Sequence, residues 1–336
     1  MLKKIDSNYF YFIDLLRILA ILGSFLHHSE VIYFLYGHSF FFFLSGFLLT
    51  HRFSQEIQKY HQFDFWAFTI RRLLKIIPLY YLIVLFTYFV LPYFTSIDFK
   101  TIPIYKYLFF ISNYSTDTSH IFILMILWSV SVQEQFYFFI SFVFKFFNTY
   151  ITAIAIGMIL FSLAFKIYYF KLDKNVYAYT LNHFSTYGFG MLYACYFEKI
   201  NEFITAKMSL ILFLASIFSL YFFSFTMKEN VIWILFDNIF VSIFFIFIFN
   251  FLLKSKSILI HNKIVHFFGN LYYGMYCYQG IVITFTNFVI LKYFNLNLIS
   301  IVFINLLLLL IISTLSFYLF EKPISLLREK LKIQKT

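Results

Sequence analysis

Residues 10–29 read FYFIDLLRILAILGSFLHHS. About 20 mostly apolar residues is the length an α-helix needs to cross the hydrocarbon core of a bilayer. Lys3 and Lys4 precede the stretch, as basic residues precede a secretory leader. A leader's apolar region, however, does not carry Asp14, Arg17 and two histidines, and no small-residue cleavage site follows. The stretch is therefore expected to remain as an uncleaved first transmembrane span.

The same ruler laid along the chain gives further candidate spans near 34–50, 76–95, 128–147, 149–170, 180–197, 208–226, 231–252, 266–290 and 298–320. The expected fold is all-α: a polytopic membrane protein of about ten transmembrane helices. Composition agrees, with 62% hydrophobic and only 12% charged residues, against about 25% charged in a soluble domain. So much apolar surface has nowhere to go in water, whereas a bilayer already hides it. An apolar piece at 104–112 is too short to span and is expected to be interfacial or re-entrant. No linker is long enough to border a second domain, so 1–336 is read as one membrane domain ending in a basic cytoplasmic tail, 321–336. Cys195 and Cys277 lack any disulfide or metal spacing and are expected to pack in the interior.

An even number of spans puts both termini on one side. That side receives 18 of the 26 Lys and Arg residues, the other side six, and Arg17 and Lys166 fall inside spans. Basic residues concentrate on cytoplasmic loops, so both termini are expected in the cytoplasm. The net charge of +11 then needs no nucleic acid to account for it. The tail, EKPISLLREKLKIQKT, is expected to lie on anionic membrane lipid.

Ionisable residues within spans carry the chemistry, because each costs about 2.5–3.5 kcal/mol at a helix centre on insertion scales. Asp14 and Arg17 are three apart and can pair on one helix face. Arg17 and His28 are eleven apart, which returns the helix to within about 20° of its starting direction and separates the two by about 16 Å. His27 points about 100° away. In WSVSVQEQFYFF, 128–139, Glu134 sits mid-segment beside Gln133 and Gln135, with Arg17 as a candidate partner. In FWAFTIRRLLKIIPLYY, 65–81, Arg71, Arg72 and Lys75 crowd one helical turn, as a phosphate-binding cluster or as an ordinary basic anchor. Each of these groups also has a plain structural reading, as a buried ion pair, a polar helix contact or an anchor.

Together these segments resemble the acyltransferase-3 family of bacterial membrane acyltransferases. DLLRILAILGSFLHH is similar to the family's D-x-L-R-G-I-A with its downstream histidine, and FFFFLSGFLLT, 40–50, to F-F-x-L-S-G-F-L. RRLLKIIPLYY resembles R-R-x-x-R-I-x-P-x-Y, and WSVSVQEQFYFF resembles W-S-L-S-V-E-x-Q-F-Y. FFGNLYYGMYCYQ and FYLFEKPI resemble the closing segments. The likeness runs from residue 14 to about 324. Ile18 stands at a usual glycine, Lys75 at an arginine, Gln133 at an acidic residue and Gln279 at a histidine.

The resemblance implies transfer of an acyl group, most often acetyl, from cytoplasmic acetyl-CoA or another acyl-CoA. The acceptor is a hydroxyl of a surface glycan or lipid-linked saccharide, and the location the bacterial inner membrane. His28 is then expected to be the general base or a transient acyl carrier. Arg17, steadied by Asp14, is expected to stabilise a thioester oxygen or the pantetheine path, Glu134 to orient His28 or Arg17, and Arg71, Arg72 and Lys75 to hold the donor's phosphates. No metal is expected, since no HExxH or carboxylate cluster is present. The remaining histidines (His38, His51, His61, His120, His183, His261 and His266) are expected at interfaces or in loops. The chain is expected to lack the periplasmic hydrolase-like domain of some longer relatives. A flippase or exporter of a glycan or lipid precursor is the alternative, since it too would use intramembrane Arg and Glu.

Overall fold

Every element of the computed structural model is helical, and no strand occurs among the described residues, which are 8–32, 36–94, 102–115, 122–226, 230–254, 262–290 and 293–330. Lys3, Lys4, Lys332 and Lys335, and with them the last six residues of the expected tail, lie outside these. So do Lys100, Lys228, Lys256, Lys292, His120 and His261.

The helices are α1 (Asn8–His28), α2 (Gly37–Tyr60), α3 (Phe65–Leu85), α4 (Ile104–Leu108), α5 (Phe122–Met125), α6 (Trp128–Phe146) and α7 (Ile151–Lys171). They continue with α8 (Phe184–Cys195), α9 (Phe197–Phe203), α10 (Ala206–Thr226), α11 (Val231–Lys254), α12 (Lys263–Phe285), α13 (Leu298–Ser316) and α14 (Lys322–Lys330). The chain is thus an all-α polytopic membrane protein. By length and composition five described helical stretches can cross a membrane, Phe65–Tyr93, Ile123–Phe146, Asn148–Lys171, Val231–Lys254 and Leu298–Leu326. A sixth is added if α9 and α10, bent by 100°, count as one span.

The expectation of ten spans meets a clear exception at 180–197. That segment is a short 3-10 turn followed by α8, whose 12 residues rise only about 18 Å, against a hydrocarbon core of about 30 Å. Helix ends also overrun the apolar windows. α2 continues to Tyr60, past the expected end at Thr50, and α3 begins at Phe65, eleven residues before the expected start. Asp64 sets that start, its carboxylate accepting the Ala67 N–H at 2.9 Å.

The chain divides into two compact units. One comprises residues up to Phe63 together with Phe142–Asn270; the other comprises Asp64–Ser141 and the residues from Leu271 onward.

In the first unit α2, α7 and α8 pack through glycine. A Cβ at Gly190 of α8 would fall on the Phe43 carbonyl of α2, and one at Gly46 of α2 on the Tyr187 carbonyl of α8. Gly188 faces the other way, where a Cβ would stand 2.7 Å from the Ala155 carbonyl of α7. Small residues let backbones approach this closely where lipid supplies no hydrophobic drive for helix association. Around them Phe12, Phe40, Phe43, Phe47, Phe245 and Phe249 form a buried aromatic core, with edge-to-face pairs such as Phe12–Phe249 at 5.0 Å. Gly190→Ala is expected to destabilise the protein by about 1–3 kcal/mol through overpacking. Gly157→Ala, whose Cβ meets nothing within 4 Å, is expected to be neutral or stabilising by up to about 1 kcal/mol. Thermal midpoints of the two variants in detergent check this.

In the second unit the piece at 104–112 packs along α3 and turns back along α6. The Tyr88 hydroxyl of the π-helical turn after α3 donates to the Ile102 carbonyl. Tyr80 donates to the Tyr107 carbonyl at 3.2 Å and Tyr81 to the Leu108 carbonyl at 2.6 Å. The segment therefore descends along α3 by at least eight residues of helix, about 12 Å. It turns at Phe110, whose φ of 54° is left-handed, and returns along α6, where the hydroxyls of Ser112 and Ser131 meet at 2.9 Å. Irregular backbone survives at membrane depth only if its polar groups are satisfied inside the protein. Three tyrosine hydroxyls and the Gln135 amide, which donates to the Phe110 carbonyl at 2.6 Å, meet that condition.

Of the two cysteines, Cys277 is buried as expected, whereas Cys195 is exposed; both are free. Cys195 is the last residue of α8, where the helix leaves its packed neighbours.

Candidate active site

The site residues fall in the two units and are described unit by unit.

In the first unit α1 is one unbroken helix from Asn8 to His28, so the register that relates Asp14, Arg17 and His28 is maintained. Asp14 is buried, and its Oδ1 accepts from Arg17 Nη1 at 3.0 Å, the pairing expected from their spacing. Its other oxygen, Oδ2, lies 2.7 Å from Nδ1 of His266 on α12. Gly269, one turn further along α12, brings that helix against Asp14, where a Cβ would overlap the Asp14 side chain. Asp14 is thus held at both oxygens, and it holds the Arg17 guanidinium in place. His266 is therefore a partner of the site, although its type and spacing point to an interface. It lies 252 residues away in sequence, and no local pattern announces it.

At the far end of α1 the His27 and His28 rings lie 5.4 Å apart, and His28 is half-buried. His38 and His183 approach to 5.4 Å, and Tyr177 reaches His38 Nδ1 at 3.4 Å. His183 is fully buried in the 3-10 turn between α7 and α8, with Nε2 2.7 Å from the Tyr177 carbonyl. His51 is likewise buried, on α2, against Gln55 at 3.0 Å. Lys166 of α7, inside a span as expected, forms an ion pair with Asp237 of α11 and donates to the Ile234 carbonyl at 3.2 Å. Sequence reading passed over Asp237.

In the second unit Glu134 pairs with Arg72, Nε lying 3.3 Å from Oε1; Arg17, the candidate partner from sequence, belongs to the first unit. The reason is geometric: α3 and α6 present Arg72 and Glu134 to each other within one unit, and the guanidinium also stacks on the Tyr137 ring at 3.8 Å. A cation held by carboxylate and ring together needs both its charge and its planar face. Lys75 donates to the Tyr272 hydroxyl at 3.3 Å. Arg71 has no hydrogen bond or ion pair among the described residues. The three basic residues thus differ: Arg72 is neutralised, Lys75 is partnered by a phenol, and Arg71 is uncommitted. Further along, the Tyr278 hydroxyl donates to Ser316 at 3.1 Å, and Ser316 donates to Glu321 at 3.3 Å. Among the described residues no group of three metal-ligating side chains forms a site.

An acyltransferase-domain model, that of the acyltransferase-3 family, matches residues 10–320. The chain belongs to that family. No curated protein and no solved structure matches the chain.

The match runs through both units, so the acyltransferase domain takes in α1 with its Asp14–Arg17 pair as well as α3 and α6 with theirs. This acyltransferase carries its polar groups in helices otherwise devoted to apolar packing. Intramembrane ionisable residues placed this way mark functional sites more often than structural ones.

Proposed function

We propose that this acyltransferase moves an acetyl group from cytoplasmic acetyl-CoA to a hydroxyl of a cell-surface polysaccharide or lipid-linked sugar. The observation that carries the reading is the family match over 10–320, joined to an α1 whose register sets a carboxylate-braced Arg17 and His28 on one helix face. His28 takes the proton of the acceptor hydroxyl as its oxygen attacks the thioester carbonyl. Arg17, about 16 Å from His28 along α1, lines the path of the donor's pantetheine arm. The new C–O bond forms as the C–S bond breaks, and the CoA thiolate leaves and is protonated. Arg71, with Lys75 one helical turn further on, takes the donor's phosphates, while Arg72 is committed to Glu134. The bias of basic residues supports an inner-membrane location with both termini in the cytoplasm.

Mass spectrometry of the host's surface glycans, with the gene present and deleted, tests this. Acetyl esters that vanish on deletion are expected. Identical ester content in both strains overturns the reading, and loss of the whole glycan points instead to a flippase.

A further inference from the structure

Between α3, α6 and the turn at Phe109–Phe110 lies a cavity of about 370 Å³, within the range of small-molecule sites. Its walls include Phe68, Leu73, Phe109, Phe110 and Phe138. Three of these are also outward-facing: Phe109 is 73% exposed, Phe138 63% and Leu73 37%. Leu73 and Phe138 lie on helical stretches long and apolar enough to cross a membrane, where outward-facing apolar surface meets hydrocarbon, so on that side the cavity opens toward lipid.

The floor is different. Thr69, Gln135, Arg72 and Glu134 line it, and the last two cancel each other's charge in their ion pair. A net-neutral floor with hydrogen-bonding groups favours a polar, uncharged ligand end. An anion would have to displace Glu134 from Arg72 to gain a cation.

The tip that roofs the cavity is fixed by its own helix cap and by a side chain of α6. Phe110 is the left-handed cap of α4, its N–H donating to the Tyr107 carbonyl at 3.0 Å and the Ile111 N–H to the Lys106 carbonyl at 2.8 Å. Gln135 pins it there: its Nε2 donates to the Phe110 carbonyl at 2.6 Å and to Asn113 Oδ1 at 2.9 Å, while its Oε1 accepts from Tyr114 at 3.1 Å.

We infer that this cavity is a lateral port for a membrane lipid with an uncharged hydroxyl head, the chain lying among the phenylalanines and the head hydroxyl donating to the oxygen of Thr69 or Gln135, whose own protons go to Phe65, Phe110 and Asn113. As the entry of an acceptor hydroxyl it rests on the transfer reading; as a lipid site it does not.

The test is photolabelling of the full-length protein in lipid nanodiscs with diazirine-bearing hexadecanol, followed by peptide mapping. Labelling is expected to concentrate on the peptides holding Leu73, Phe109–Phe110 and Phe138. Leu73→Trp, which fills the cavity, is expected to reduce it at least fivefold. Leu307→Trp, on an outward face of α13, is expected to leave it unchanged and serves as the folding control. Labelling spread evenly over outward helix faces would overturn the proposal, as would equal or stronger cavity labelling by diazirine-bearing palmitic acid. A preparation inactive in transfer that still labels at the cavity keeps the site and sinks the transfer reading. An active one that labels elsewhere sinks the site alone.

Discussion

His28→Ala is expected to lower acyl transfer by about 10²–10⁴-fold, the usual contribution of a positioned general base. The amount of protein in the membrane should stay unchanged. His28 is half-buried at the end of α1, so its truncation removes little packing. His27→Ala supplies the control. The two rings are neighbours at 5.4 Å, yet successive helix positions point about 100° apart. Loss of His27 is therefore expected to change transfer by no more than about threefold. Incorporation of labelled acetyl into surface glycan, in membranes carrying each variant, reads both. Equal loss from the two histidines would remove His28 from its special role. Full activity in His28→Ala would remove it from the mechanism.

The second large effect is on stability. Arg72→Ala leaves Glu134, only 9% exposed, without its guanidinium. Breaking one side of a buried pair costs about 3–5 kcal/mol, whereas replacing both partners with apolar residues of similar size is often nearly neutral. Arg72→Ala is thus expected to lower the thermal midpoint in detergent by several degrees, and Arg72→Leu combined with Glu134→Leu to recover most of that loss. Arg72→Lys should recover less than the charge alone suggests, because an ammonium cannot reproduce the planar stack on Tyr137 at 3.8 Å. Equal destabilisation of Arg72→Ala and the double variant would show that the two residues act independently.

Much of the helical framework could be read directly. The windows at 10–29, 231–252 and 298–320 each coincide with a helix, because a membrane span is encoded locally in twenty or so side chains. The window at 180–197 misleads because its apolar residues are there for protein contacts. Gly188 and Gly190 are packed on α7 and α2, and the helix they serve is too short to span. Helix ends were less legible, since α2 and α3 continue into polar sequence where caps such as Asp64 decide the boundary.

The site divides in the same way. That Asp14 and Arg17 pair, and that His28 shares their helix, follows from the sequence by itself, because three and eleven residues are distances that helical geometry alone converts into directions. The family, too, was legible, carried by motifs spread in order along the chain. Only tertiary structure assigned Arg72 to Glu134 across 62 residues and His266 to Asp14 across 252. Only it folded the 104–112 piece against α3, held by Tyr80, Tyr81 and Tyr88. Periodicity fixes which way a side chain faces along its own helix; what it meets there depends on how helices distant in sequence pack, and no local pattern records that.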